Sequence, residues 1–149
     1  MYKTILVPLD GSARAETILP HVEEIARMQD AELVLLRVID PIMTVTGVEG
    51  VPYSVTQDFI KEETDEAQRY LEETASLLQK KRIRATTRIR YGEIVKTISE
   101  TAEAEKADLI ALASHGRTGL SRLFYGSVAA GVLNRADRPL LLVRAHNEI

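Results

Sequence analysis

Apolar residues in this chain form short continuous runs, separated by stretches in which they recur every three or four positions. Lys3–Leu9 (KTILVPL) is a run of the kind a buried strand makes. From about Ala13 to Met28 the period becomes helical, with Ile18, Val22, Ile25 and Ala26 on one face and Ser12 placed as N-cap. Pro20 removes one hydrogen bond of such a helix, so it predicts either a kink or a later start. Glu32–Ile39 (ELVLLRVI) is almost continuously apolar, as a strand covered on both faces is. A long helix is predicted from about Gln57 to Lys81, with Ile60, Ala67, Leu71, Thr74 and Leu78 as its inner stripe. Arg84–Tyr91 alternates polar and apolar in the manner of an edge strand, and Gly92 then turns the chain into a helix carrying Ile94, Val95, Ile98 and Ala102. Asp108–Ala113 (DLIALA) reads as another buried strand. Ser127–Ala136 reads as a helix with Ala129, Val132, Leu133 and Ala136 inward; Arg138-Pro139 ends it, and Leu140–Arg144 (LLLVR) is the last strand.

Strands alternating with helices predict a parallel five-stranded sheet with helices on both faces. Right-handed crossovers make a doubly wound, three-layer α/β/α sandwich its natural form. The 149 residues suit one domain, and no block is repeated. Between the second strand and the long helix, Asp40–Thr56 (DPIMTVTGVEGVPYSVT) has two prolines, two glycines and no helical period, and is expected to be the longest loop.

Composition narrows the function classes. With 45% hydrophobic and 28% charged residues the chain is ordinary for a globular protein, and a net charge of −3 gives no general attraction to nucleic acid. The absence of cysteine excludes disulfides, thiolate metal sites and a cysteine nucleophile. No apolar run approaches the roughly 20 residues of a membrane-spanning helix. MYKTILVPLDGS lacks the long apolar core of a secretory signal, so a cytoplasmic location is expected.

In a doubly wound sheet, ligands bind beyond the carboxyl ends of the strands at the point where strand order reverses. Three segments should converge there: Pro8–Ser12, Val38–Asp40, and the stretch Ala113–Ser127 (ASHGRTGLSRLFYGS), which has three glycines, two arginines and no acid. Gly116 allows close backbone approach, and Gly126-Ser127 lies where a helix begins, with free N–H groups and the positive end of its dipole. The Ser127 hydroxyl and Arg117 or Arg122 would add donors, so the stretch can wrap a polyphosphate; the alternative is a solvated connection whose glycines serve only turns.

Several other sites do not fit. A Walker A loop needs a lysine, and none lies between Ala113 and Ser127. The dinucleotide pattern Gly-x-Gly-x-x-Gly is missing after the first strand. Pro8 stands where a haloacid-dehalogenase-type phosphatase has its nucleophilic aspartate, and the acidic cluster of a receiver domain is reduced to Asp10. His115 is expected to shape the loop, His21 and His146 to lie at the surface without metal partners, and the run Glu62–Glu66 to be a solvated helix face.

On these residues the chain resembles the universal stress protein family over essentially its whole length. KTILVPLDGS, LLRVID and SHGRTGLSRLFYGSVAAGVLNRADRPLLLVR match the family's pattern in order and spacing. Nucleotide-binding members carry Gly-x2-Gly-x9-Gly-Ser/Thr; here Gly116, Gly126 and Ser127 keep that spacing, and Ala113 replaces the first glycine. The resemblance implies a Rossmann-like, adenine nucleotide α-hydrolase-like fold that binds ATP with Mg²⁺ and serves as a stress-response regulator with slow or no hydrolysis. It implies that Pro8 shapes the first loop, Asp10 lies near ribose and metal, and Val38 meets adenine through its backbone. Gly116 and Arg117 would flank the phosphates, and Gly126, Ser127 and Val128 would hold them. Asp10 also has a simpler reading as a turn residue before Gly11.

The apolar edge strand LLLVR is a pairing template, and both it and the resemblance predict a two-fold homodimer through the C-terminal strand. An adaptor of the same fold that binds protein partners and no nucleotide is the competing function, with Ala113 in its favour. An ATPase or phosphotransferase using His115 or Asp10 is the third.

Overall fold

The apolar runs become five strands: β1 (Thr4–Pro8), β2 (Glu32–Ile39), β3 (Ala85–Tyr91), β4 (Leu109–Gly116) and β5 (Leu140–His146). The computed structural model describes residues 1–42, 53–116 and 126–146. All strand pairs are parallel, in the order β3-β2-β1-β4-β5, the doubly wound sheet expected from the pattern. The four longer helices among the described residues are α1 (Leu19–Gln29), α2 (Tyr53–Lys80), α3 (Ile94–Ala104) and α4 (Ser127–Arg135).

Alternate residues of each strand feed two separate cores. Ile5, Val7, Leu33, Leu35 and Ala111 pack against Val22 and Ala26 of α1 and Leu71, Ala75 and Leu78 of α2. Leu6, Val34, Leu36, Ile110 and Leu112 pack against Ile98 and Ala102 of α3 and Ala129 and Val132 of α4. Because both faces are buried, the central strands carry apolar residues at nearly every position, which is why β2 shows no alternation in sequence.

Four local expectations are corrected. The first helix is not continuous from Ala13: a 3-10 turn spans Ala15–Ile18, and α1 begins at Leu19 with Pro20 in its first turn, where the missing N–H costs no helical bond. Ser12 accordingly does not cap an α-helix; its Oγ accepts the Ala15 N–H at 3.1 Å at the start of the 3-10 turn. The long helix starts at Tyr53, so the end of the expected loop is helical, and residues 43–52 of that loop lie outside the described residues. Leu133 is 48% exposed. The stripe that meets the sheet is Ala129, Val132 and Ala136, and Leu133, a further 100° round, falls off it.

Candidate functional site

β1 lies between β2 and β4, so the chain leaves it in one direction and later returns on its other side. This strand-order reversal opens a crevice over the carboxyl ends of β1 and β4. The Leu9 N–H donates to the Leu36 carbonyl at 2.8 Å, after which β1 leaves the sheet. The next residues form a tight turn. Gly11 takes φ +86°, and the Ser12 N–H donates to Asp10 Oδ1 at 2.8 Å. The turn role allowed for Asp10 in the sequence is therefore present, and it aims an exposed carboxylate over the crevice rim. Burial pushes this carboxyl up, but hydrogen bonds from the Ser12 hydroxyl and N–H and the charge of Arg37 outweigh it. Together they hold Asp10 below the usual aspartate value.

Behind the rim is a cavity of about 140 Å³. Its walls are Pro8 and Leu9 from β1 and its exit, Leu36 and Val38 from β2, Ile98 from α3, and Ala113 and Val128 from β4 and α4. Asp10 is the ionisable group among its described lining residues. Pro8, Asp10, Val38, Ala113 and Val128, expected from sequence to share a site, thus surround one apolar space. Val38 offers it more than a side chain. Leu36 bonds toward β1, and the Ile39 carbonyl accepts the Gly92 N–H on the opposite side at 3.0 Å. Backbone groups alternate along a strand, so the Val38 N–H and C=O face the β1 side, past the point where β1 ends.

Ala113 occupies an extended ladder position in β4 opposite Val143. The position does not demand the positive φ that alanine resists, and the methyl simply forms part of the wall. β4 runs on to Gly116, opposite His146, so His115 and Gly116 are strand residues and not loop residues. Arg117 and Arg122 lie outside the described residues.

At the other end of the stretch, Gly126 precedes α4 with φ 79° and ψ 153°, a conformation essentially reserved for glycine. Its carbonyl accepts the Ala130 N–H at 3.0 Å, the first bond of the helix. Ser127 is the first helical residue and is exposed, and Val128 carries the wall of the cavity. The free N–H groups of this helix start therefore adjoin the apolar cavity.

One arrangement was missed in the sequence. Glu62–Glu66 is not simply a solvated face: Glu62, Glu63 and Glu66 border a second cavity of about 400 Å³ with Asp10, Arg37 and Tyr70. Glu63 pairs with Arg37 at 3.3 Å. The visible signal was Arg37 itself, the single charge within LVLLRVI. His21 is exposed, as expected. Among the described residues, no cluster of three or more His, Asp or Glu could hold a metal, and no helix is long and apolar enough to cross a membrane.

A doubly wound sheet with a small apolar cavity and a glycine-started helix at its switch point defines a Rossmann-like α/β protein. The chain belongs to the universal stress protein family, whose sequence profile matches residues 1–144. It is 33% identical over 148 residues to universal stress protein MJ0531 of Methanocaldococcus jannaschii, covering 97% of this chain and 83% of that one. The structure of MJ0577 from the same organism matches with a TM-score of 0.85 at 30% identity, covering 99% of each chain. Two further structures share the fold at lower identity. One is a universal stress protein from Archaeoglobus fulgidus in complex with dAMP (TM-score 0.68, 21% identity, 95% and 98% coverage). The other is a universal stress protein in complex with cAMP (TM-score 0.61, 23% identity, 97% and 98% coverage).

Proposed function

We propose that this chain binds an adenine nucleotide, ATP with Mg²⁺, across the switch point, and acts as a nucleotide-dependent regulator in the stress response. The observation that carries this reading is the cavity of about 140 Å³, apolar except for Asp10 among the described residues, with the Val38 peptide facing it from one side and α4 starting on another. A flat base suits the apolar space, and a backbone N–H and C=O can read its polar edge. Phosphates leaving that space would meet Gly126 and Ser127, where free N–H groups and the helix dipole favour anions. The adenine nucleotides held by two proteins of this fold support the same class of ligand.

Asp10 alone cannot cage a metal. Mg²⁺ would lean on phosphate oxygens and water, with Asp10 as a single protein carboxylate near it. Among the described residues, the cavity lining offers no second carboxylate and no histidine to act as a base, which favours slow or no hydrolysis. The place of β5 at the end of the strand order supports a homodimer through that strand, and the cysteine-free composition suits the cytoplasm.

Isothermal titration of the purified, nucleotide-free protein with Mg·ATP, and with Mg·GTP beside it, tests the proposal. Micromolar binding with a clear preference for ATP is expected. A folded protein that takes up neither would overturn the nucleotide reading and favour an adaptor acting through protein partners.

A further inference from the structure

On β2 the odd-numbered residues face α1 and α2, and Leu33 and Leu35 are fully buried there. Arg37 is the next residue on that face, where the pattern calls for another apolar side chain. Its guanidinium instead donates through Nη1 to the main-chain carbonyl of Asp10, and through Nη2 to Glu63 Oε1 at 3.3 Å. It also stands directly behind Gly11, whose absent Cβ would lie 4.0 Å from Nη1. The side chain is only 20% exposed, and its Nε is buried without a hydrogen-bond partner among the described residues. A buried N–H left unpaired destabilises the fold, a cost that a leucine at this position would not carry. Asp10 lines both cavities, so its turn borders the apolar space and the larger one lined by α2.

We propose that Arg37 is a positioning residue for the nucleotide site: it holds the Asp10–Ser12 turn through the Asp10 carbonyl and ties that turn to α2 through Glu63. The inference rests on the nucleotide reading and deepens it, since it assigns the residue that sets where the Asp10 carboxylate points. A shift of α2 then reaches Asp10 through one guanidinium, and nucleotide bound against Asp10 biases α2 in return. Lysine could not do the same work, because one ammonium lacks the planar fork that spans a carbonyl and a carboxylate together.

The test compares Mg·ATP titrations of the wild type, Arg37→Met, Arg37→Lys, Glu63→Gln and the Arg37→Met/Glu63→Gln double variant, with amide exchange of Ser12 followed by NMR without nucleotide. Arg37→Met should weaken binding about tenfold, the size of one charge-assisted hydrogen bond. Arg37→Lys should recover only part of the loss. Glu63→Gln should fall between wild type and Arg37→Met, and add nothing in the double variant because both changes break one linkage. Ser12 exchange should quicken in Arg37→Met, since its N–H bond to Asp10 belongs to the turn that Arg37 holds. Wild-type affinity together with wild-type Ser12 exchange in Arg37→Met overturns the inference and leaves the nucleotide reading standing. A wild-type protein that binds no nucleotide overturns both. Should Arg37→Met fail to fold, Glu63→Gln carries the test, and unchanged affinity and exchange there overturns the inference.

Discussion

Leu9 donates its N–H to the carbonyl of Leu36 at 2.8 Å, and beyond that bond β1 no longer covers β2. The site exists because of this early departure. It leaves the Val38 peptide facing open space, with Ala113 of β4 lining the same cavity from the other side of β1. The cavity is small enough that side-chain volume at Ala113 should control access. Ala113→Leu should abolish adenine-nucleotide binding in a protein that still folds, and Ala113→Gly should bind at least as well as the wild type. Titration with Mg·ATP reads both, and tight binding by Ala113→Leu would place the base elsewhere.

Asp10 is held ionised, and its charge can be separated from its turn. Asparagine keeps an oxygen to accept the Ser12 N–H but not the charge, so Asp10→Asn should unfold somewhat below the wild-type midpoint at neutral pH while losing most of the Mg²⁺ dependence of ATP binding. The pH effect has a definite sign. Although burial raises the Asp10 pKa, the Ser12 hydrogen bonds and Arg37 leave it lowered in the folded state. Its stabilisation is present above the unfolded value and is lost as pH falls through the folded one, so it should fade below about pH 4. Asp10→Asn should remove that part of the acid sensitivity, which acid-titrated urea melts would measure.

Gly126 combines φ 79° with ψ 153°, so a side chain there is strained however much room it has. Gly126→Ala should destabilise the fold by about 1–3 kcal/mol and loosen the start of α4. Ser127→Ala leaves the backbone conformation alone, so it should spare stability and weaken ATP binding by about 1–3 kcal/mol. Denaturant melts set beside titrations separate the two effects. An unchanged ATP affinity in Ser127→Ala would remove this hydroxyl from the phosphate site.

Asp108 joins the starts of two strands. Its Oδ2 accepts the N–H groups of Lys3 and Thr4 at 2.8 and 2.9 Å, and these bonds lower its pKa. Asp108→Ala should cost about 1 kcal/mol, discounted for its solvent contact, and the loss should be seen at neutral pH but shrink below about pH 4. Melts at both pH values check this, and an equal loss at each would point to packing and not charge.

The outer edge of β5 can be blocked without touching its inner one. The Pro139 carbonyl accepts the Ile110 N–H at 3.0 Å, so odd residues of β5 face β4 and the Leu142 N–H faces outward. Leu142→Pro should therefore keep the β4 pairing and abolish strand pairing with a second subunit. Analytical ultracentrifugation should show a dimer for the wild type and a folded monomer for Leu142→Pro; a wild-type monomer would remove the dimer from the proposal.

How much of this was legible in the sequence differs between elements. β2 is legible to the residue, Glu32–Ile39, because a strand buried on both faces leaves an unbroken apolar run. Pro20 announced that the first helix would start late or bend, but the choice depended on the 3-10 turn that carries the chain from the Asp10 loop to α1. The end of β4 is hidden in the sequence because His115 and Gly116 look like loop residues, yet pairing with Ala145 and His146 extends the strand to them. The helical period places Leu133 inward, but it cannot show where the edge of the supporting sheet lies, and Leu133 is exposed.

The sequence by itself determined which stretches are strands and helices, that they alternate, and that Pro8, Asp10, Val38 and Ala113 lie in or just after the carboxyl halves of strands, on the side where a ligand would sit. Those are local properties, set by side-chain period and by the backbone preferences of glycine and proline. The tertiary structure alone decided the order β3-β2-β1-β4-β5, the width of the cavity, and the meeting of Arg37 with the Asp10 carbonyl and Glu63. Arg37 lies 27 residues from one partner and 26 from the other. Nothing local relates such residues; the crossovers that lay α2 over β2 bring them into contact.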